Sequence, residues 1–255
     1  MQYQNRKTIA TLLVVQTIIT VVYAFSLFEV CLFYFREGGF TGIKEPLLNY
    51  FPHLVILICS IWPQAALLFK HKLHSQDGEI MPLLFTMIPT QASLIVTDAV
   101  TAMGFIFIFP EQLLVVQRFS LVATAALFLL SSLRYYGFSS SNMGFYTALF
   151  LAISLLLSSM VPFSSYRGQM STLTPGYEVY IQIVVLVLYL VSIITFIITA
   201  VKDKTSLNVK RSIAFILLVI SIYFSYYNTL YSAIIAVVLA IPATIILSIN
   251  AGDSL

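Results

Sequence analysis

Charged residues are scarce in this chain of 255 residues: they make up 9% of it, whereas hydrophobic residues make up 60%. A soluble domain carries about 25% charged residues, so lipid must cover much of this protein's surface. The basic residues are scattered over short loops, and the net charge of +3 gives no sign of nucleic-acid binding. The two cysteines lie in apolar runs, so neither a disulfide framework nor a zinc site is predicted.

Several signatures of soluble catalysts are also missing. The chain has no G-x-S-x-G nucleophile elbow, no phosphate-binding P-loop and no H-E-x-x-H zinc motif. No stretch between the apolar runs is long enough to form a soluble domain. We therefore predict no metal and no cofactor, and we treat residues 1–255 as a single integral-membrane domain.

What the chain has instead is a series of long apolar runs. A helix needs about 20 apolar residues to cross a bilayer. The sequence predicts an all-α, polytopic transmembrane bundle of eight spans, at 8–33, 47–69, 80–109, 113–134, 142–163, 177–201, 210–226 and 229–249. The last two spans are separated at Tyr226–Thr229, where Asn and Tyr favour a turn at the interface. Loop lengths recur between the two halves of the chain, which indicates two parallel four-helix repeats.

The basic residues predict the orientation of these spans. Nine of the thirteen fall on the side of the N-terminus. These nine are Arg6, Lys7, Lys70, Lys72, Arg134, Lys202, Lys204, Lys210 and Arg211. The other four are Arg36, Lys44, Arg118 and Arg167. Because cytoplasmic loops are enriched in Lys and Arg, we predict a multi-pass protein with both termini in the cytoplasm.

Reporter fusions test this topology. A reporter placed after Leu255 should report the cytoplasm, whereas one placed in the 164–176 loop should report the opposite side, because three spans are predicted between them. The activities of a periplasmic and a cytoplasmic reporter, measured in parallel at both sites, check the prediction. If both fusions report the same side, the eight-span topology is wrong.

A lone carboxylate, Asp98, lies near the middle of the third span. Gln91, Asp98 and Thr101 fall on one face of a helix, and such a polar face must contact protein or water. Because a charge at that depth is costly, Asp98 is a candidate catalytic or transport residue. The alternative is a structural network in which Gln and Thr side chains hold it. Arg118, early in the fourth span, either reaches the interface, pairs with Asp98 or binds a lipid phosphate.

Three short motifs resemble the YhhN/TMEM86 family of eight-span proteins, which includes lysoplasmalogenases. The segment Lys44-Glu45-Pro46-Leu47-Leu48 opens the second span, where the family tends to have Lys-Pro-Leu. Thr97-Asp98 stands where the family has Gly-Asp. Phe128, Ser132, Tyr135 and Phe138 are similar to a family pattern of Phe-x3-His-x2-Tyr-x2-Phe. The predicted eight-span layout agrees as well.

This resemblance implies hydrolysis of the vinyl-ether bond of a lysoplasmalogen, with Asp98, Ser132 and Tyr135 at the catalytic site. Gln91, Thr101, Arg118, Arg134 and Ser221 are the residues expected to bind the lipid. The family histidine falls on Ser132, and a second family aspartate falls near Ile222. An acid–base partner for Asp98 is therefore missing, and the chain is either an active hydrolase or a degenerate relative that binds lipid.

Two other functions are open at this point. The chain could be a small transporter or lipid-handling protein that uses Asp98 as a proton or cation site. It could also be a non-catalytic membrane subunit whose polar face packs against a partner helix. The expected partner is membrane lipid, a lysophospholipid is the candidate substrate of the hydrolase, and nucleic acid is not expected. The oligomeric state does not follow from the sequence.

Overall fold

The structure, a computed structural model, describes residues 2–69, 83–87, 95–105, 110–137, 143–159, 175–202, 206–225 and 229–250. Its helices are α1 (Gln2–Phe69), α2 (83–87), α3 (Ile95–Ala102), α4 (Pro110–Tyr135), α5 (Met143–Ser159), α6 (Pro175–Lys202), α7 (Ser206–Phe224) and α8 (Leu230–Asn250). The predicted all-α helical bundle is confirmed. In these ranges, five helices are long and apolar enough to cross a membrane, namely α1, α4, α6, α7 and α8. The count of eight crossings stays a prediction.

Helix α1 is a hairpin folded at Gly39. At that residue φ is 61° and ψ is −146°, a conformation that glycine adopts readily because it has no Cβ. The chain is helical on both sides, so α1 has a first arm (2–38) and a second arm (40–69). The sequence predicted a loop at 34–46 between two spans. The structure corrects this prediction, because a single glycine makes the turn.

Contacts across the hairpin show that its arms run antiparallel. Close to the turn, the hydroxyl of Tyr23 donates to the carbonyl oxygen of Tyr50 at 2.8 Å. Farther away, Nε2 of Gln16 donates to Oγ of Ser60 at 2.6 Å. The first pair lies 16 and 11 residues from Gly39, and the second pair lies 23 and 21 residues from it, so the two distances grow together. The first two predicted spans therefore pack directly against each other.

Helix α3 ends earlier than the predicted third span. The amide of Gly104 donates to the carbonyl of Thr101 at 2.9 Å, and the amide of Phe105 donates to that of Val100 at 3.1 Å. With φ of 83° at Gly104, this pair of bonds is a Schellman motif, which satisfies the last carbonyls of a helix and stops it. The helix that begins at Ile95 therefore ends at Ala102, whereas the predicted span continued without a break.

The helices pack in a definite order of neighbours. Helix α3 packs against α1, α1 against α8, α8 against α7, and α7 against α6, while α4 packs against α6 and α5. The aromatic rings of Phe128, Phe196 and Phe215 join α4, α6 and α7 in the core, with Phe196 and Phe215 stacked at 5.0 Å. The predicted repeat stays a prediction. Its two halves differ in packing, because α7 and α8 are principal neighbours whereas α3 has α1 as its principal neighbour.

Two sets of contacts identify the ends of the bundle. At one end, Nζ of Lys202 lies 4.6 Å from the ring centre of Tyr136, which brings the ends of α4 and α6 together. Helix α7 then runs to the other end, where Ser225 lies beside His53 of the second arm of α1. We call this second end the hairpin end, because the Gly39 turn lies beyond it. Gly39 is 14 residues before His53 along α1, which is about 21 Å.

Candidate functional site

Asp98 faces α1 rather than lipid. Its side chain is half-buried, and its Oδ2 accepts a hydrogen bond from the hydroxyl of Tyr50 in the second arm of α1. Tyr50 is itself held in place, because its carbonyl oxygen accepts the bond from the buried Tyr23. In the part of the chain that the structure describes, Tyr50 is the hydrogen-bond partner of Asp98, and Arg118 is not. The predicted pairing of Asp98 with Arg118 is therefore not made.

Asp98 also lies closer to the end of its helix than the sequence predicted. Ala102, the last residue of α3, is four positions away, which is about 6 Å along a helix. The sequence placed Asp98 about 16 Å from a turn at Phe109. The difference arises because Gly104 caps the helix. Tyr50 lies 11 residues beyond Gly39, which is about 17 Å along the second arm of α1.

Three more polar side chains lie on the same stretch of α1 or beside it at the end of α7. Asn49 precedes Tyr50, and its Oδ1 is buried without a hydrogen-bond partner among the described residues. His53 lies three residues after Tyr50, and its Nδ1 is 3.3 Å from Oγ of Ser225. Ser225 donates its own proton to the carbonyl of Ile222 at 2.7 Å. Its oxygen can therefore accept a hydrogen bond from Nδ1–H of His53, a tautomer in which Nε2 carries no proton.

The surroundings of Asp98 are acidic and aromatic. Tyr34, which is 40% exposed, lies within electrostatic range of Asp98, Glu37 and Glu45. Both glutamates are exposed at the turn of the hairpin. Carboxylates together with an exposed aromatic ring attract cations, including quaternary ammonium groups.

The other residues predicted to bind lipid do not gather around Asp98. Thr101 is on α3 but exposed, and Gln91 lies outside the described residues. Arg118 is only 2% exposed, so the prediction that it reaches the interface is wrong. Arg134 lies in the last turn of α4, at the end opposite to the hairpin end. The short connection between the third and fourth spans predicts that they pack against each other, but α3 packs mainly against α1.

Two further predicted residues use their hydroxyl groups within the helical core. Ser132 has no exposed surface and donates to the carbonyl of Leu129 in its own helix at 2.8 Å. Ser221 donates to the carbonyl of Ala236 at 2.6 Å and so links α7 to α8. The side chain of Tyr135 lies outside the described part of the chain. The catalytic roles of Ser132 and Tyr135 stay predictions.

A metal centre does not emerge from the described residues, which hold no group of three His, Cys, Asp or Glu side chains close enough to bind an ion. Comparison with protein-family models, with curated proteins and with solved structures finds no match. The site must therefore be interpreted from its own geometry, as a half-buried carboxylate and phenol with an amide and an imidazole nearby.

Sequence reasoning missed Asn49, Tyr50 and His53 as members of this site. Their spacing of one and then three residues places them near one side of the second arm of α1. That concentration of polar groups in an apolar helix was the available signal. It was not decisive, because the sequence does not show that α1 packs against α3.

Proposed function

We propose that this protein is a membrane-embedded hydrolase that cleaves the vinyl-ether bond of a single-chain ether lipid at the hairpin end. The observation that carries the proposal is the hydrogen bond between Tyr50 and Asp98, which holds a carboxyl group one helical turn inside the end of α3. The vinyl-ether bond of a lysolipid lies beside the glycerol, near the membrane interface, which suits a carboxyl group close to the end of a helix. A mid-membrane transport site would lie deeper, near the bilayer midplane.

The chemistry needs a proton donor and a base. Protonated Asp98 donates its proton to the outer carbon of the C=C–O unit while its Oδ2 accepts from Tyr50. The carbon attached to oxygen becomes an oxocarbenium ion, to which water adds as its proton passes to Nε2 of His53. The imidazolium of His53 then returns its proton to the glycerol oxygen as the C–O bond of the hemiacetal breaks. The hemiacetal hydroxyl gives its proton to the Asp98 carboxylate, so a fatty aldehyde and the glycerol hydroxyl are released and both groups are restored. General acid and base groups contribute about 10²–10⁴-fold each in such steps.

The charged side chains of the hairpin, Glu37 and Glu45 together with Arg36 and Lys44, suit a zwitterionic lipid head group. Glu37 and Glu45 would attract the ammonium of a choline or ethanolamine head group, with the ring of Tyr34 beside it. This arrangement replaces the earlier hypothesis that the head group lies near Arg118 or Arg134, because those residues are buried or at the opposite end.

Turnover by the purified protein tests the proposal. Wild-type protein in mixed micelles should release aldehyde from a 1-alkenyl lysolipid, measured by NADH consumption with a coupled alcohol dehydrogenase. The 1-alkyl lysolipid with the same head group is the matched control and should give no aldehyde, because it has no C=C bond to protonate. If neither lipid yields aldehyde, the hydrolase proposal fails. The hydrogen bond between Tyr50 and Asp98 then serves only to hold α1 against α3.

A substitution of His53 tests the base of the proposed reaction separately. His53→Gln should lower the rate of aldehyde release by about 10²-fold or more, because the variant keeps a hydrogen-bonding side chain but loses the base. The Tm of the variant should stay close to that of wild type. Ser192→Ala is the comparison: this serine is fully buried and bonded within its own helix, so its loss should have little effect on turnover.

A further inference from the structure

A second polar cluster lies inside the α1 hairpin, far from the hairpin end. It consists of Gln16 on the first arm and Ser60 and Gln64 on the second, and each of these side chains is 0% exposed. Ser60 and Gln64 are four residues apart, so they lie on the same face of the second arm. The bond from Gln16 to Ser60 shows that this face is turned towards the first arm.

The hydrogen bonds of this cluster determine which atoms remain unmatched. Oγ of Ser60 donates to the carbonyl of Leu57 at 2.8 Å, so it can only accept from Gln16. Gln16 must therefore direct Nε2 towards Ser60, at 2.6 Å, and its Oε1 elsewhere. Oε1 of Gln16 and both amide atoms of Gln64 are buried without a hydrogen-bond partner in the described ranges.

These unmatched atoms define the chemistry of a ligand. They are two carbonyl oxygens, which need donors, and one amino group, which needs an acceptor. A water molecule supplies two donors and an acceptor. A metal cation would suit the oxygens but be repelled by the amino group, and an anion would suit the amino group but be repelled by the oxygens. No carboxylate belongs to the cluster to balance a cation.

We infer that a water molecule binds between Gln16 and Gln64 and bridges the two arms of α1. Lipid chains offer no hydrogen-bond partner to an amide inside a membrane protein. Each buried amide group without a partner therefore costs free energy, and a bound water removes that cost. Bound water of this kind is part of a structure and is costly to remove. The inference does not depend on the proposed hydrolase activity.

The sign of a change in Tm tests the inference. If water bridges the two amides, Gln64→Leu should lower the Tm by about 2–4 °C, because the water loses its partners and Oε1 of Gln16 is left bare. In a Gln16→Leu background the bridge is already absent, so the same Gln64→Leu substitution should leave the Tm unchanged or raise it. Gln64→Met, which keeps an unbranched side chain, should repeat both results.

Two outcomes would overturn the inference. If the cluster is dry, Gln64→Leu removes an unmatched amide in either background, so the Tm rises by the same amount in both. If a cation occupies the cluster, the Tm of the wild type is higher in sodium or potassium chloride than in choline chloride, and Gln64→Leu abolishes that difference. Should Gln16→Leu fail to fold, the sign of the shift for Gln64→Leu in wild-type protein still distinguishes bridged water from a dry cluster.

Discussion

Alanine in place of Gly42 is expected to destabilise the protein by about 1–3 kcal/mol, because it forces apart the two arms of α1. A Cβ at Gly42 would collide with the carbonyl oxygen of Tyr34 on the first arm, and the carbonyl carbon would lie 3.2 Å away. Both are backbone atoms, so the contact can be relieved only by moving an arm. Helix propensity alone favours alanine over glycine by about 1 kcal/mol, so a loss of stability would run against propensity.

Gly38→Ala is the matched control for this prediction. Gly38 is also helical and lies beside the turn, but a Cβ built there meets no atom within 4 Å. Thermal unfolding in detergent should give a lower Tm for Gly42→Ala and an unchanged or slightly higher Tm for Gly38→Ala. Equal Tm values for the two variants would show that the arms do not approach each other closely at Gly42.

The long helices of the second half could be predicted well from the sequence. Hydropathy placed α6 and α8 within two residues of their observed ends, since lipid requires an unbroken apolar helix of a definite length. The turn predicted between the last two spans also holds, because α7 ends at Phe224 and α8 begins at Leu230. These features depend on local sequence and on the thickness of a bilayer.

The distance of Asp98 from the end of its helix was predicted less well, although the sequence contains a sign of that end. The apolar run continues through residue 109, so the third span was predicted to extend to that residue, with Asp98 near its middle. Gly104 was the overlooked sign, because a glycine can adopt positive φ and end a helix in the middle of an apolar run. Apolar content alone does not separate a helix from a capped turn.

The partner of Asp98 could not be predicted, because it depends on which helices pack together. A short connection usually makes consecutive helices neighbours, and this rule led to Arg118 rather than to Tyr50. In the structure, α3 packs against α1 instead. Hydropathy treats every lipid-compatible helix alike, so it carries little information about neighbours.

Replacing Asp98 by asparagine is expected to reduce vinyl-ether turnover by about 10²–10⁴-fold, because it removes the proton that the reaction transfers to carbon. The fold should survive the change. An asparagine has nearly the same volume, and its amide oxygen can still accept the hydrogen bond from Tyr50. Tyr50→Phe should have a smaller effect on rate, because the carboxyl remains and loses a single hydrogen bond that orients it.

The most direct measurement of the central claim is the initial rate of aldehyde release from a 1-alkenyl lysolipid by wild-type and Asp98→Asn protein, at equal folded concentrations and with Tm recorded for both. The account predicts turnover by the wild type, its loss in the variant, and closely similar Tm values. Equal rates together with a higher Tm for Asp98→Asn would contradict it. The carboxylate would then be a group that costs stability and takes no part in turnover.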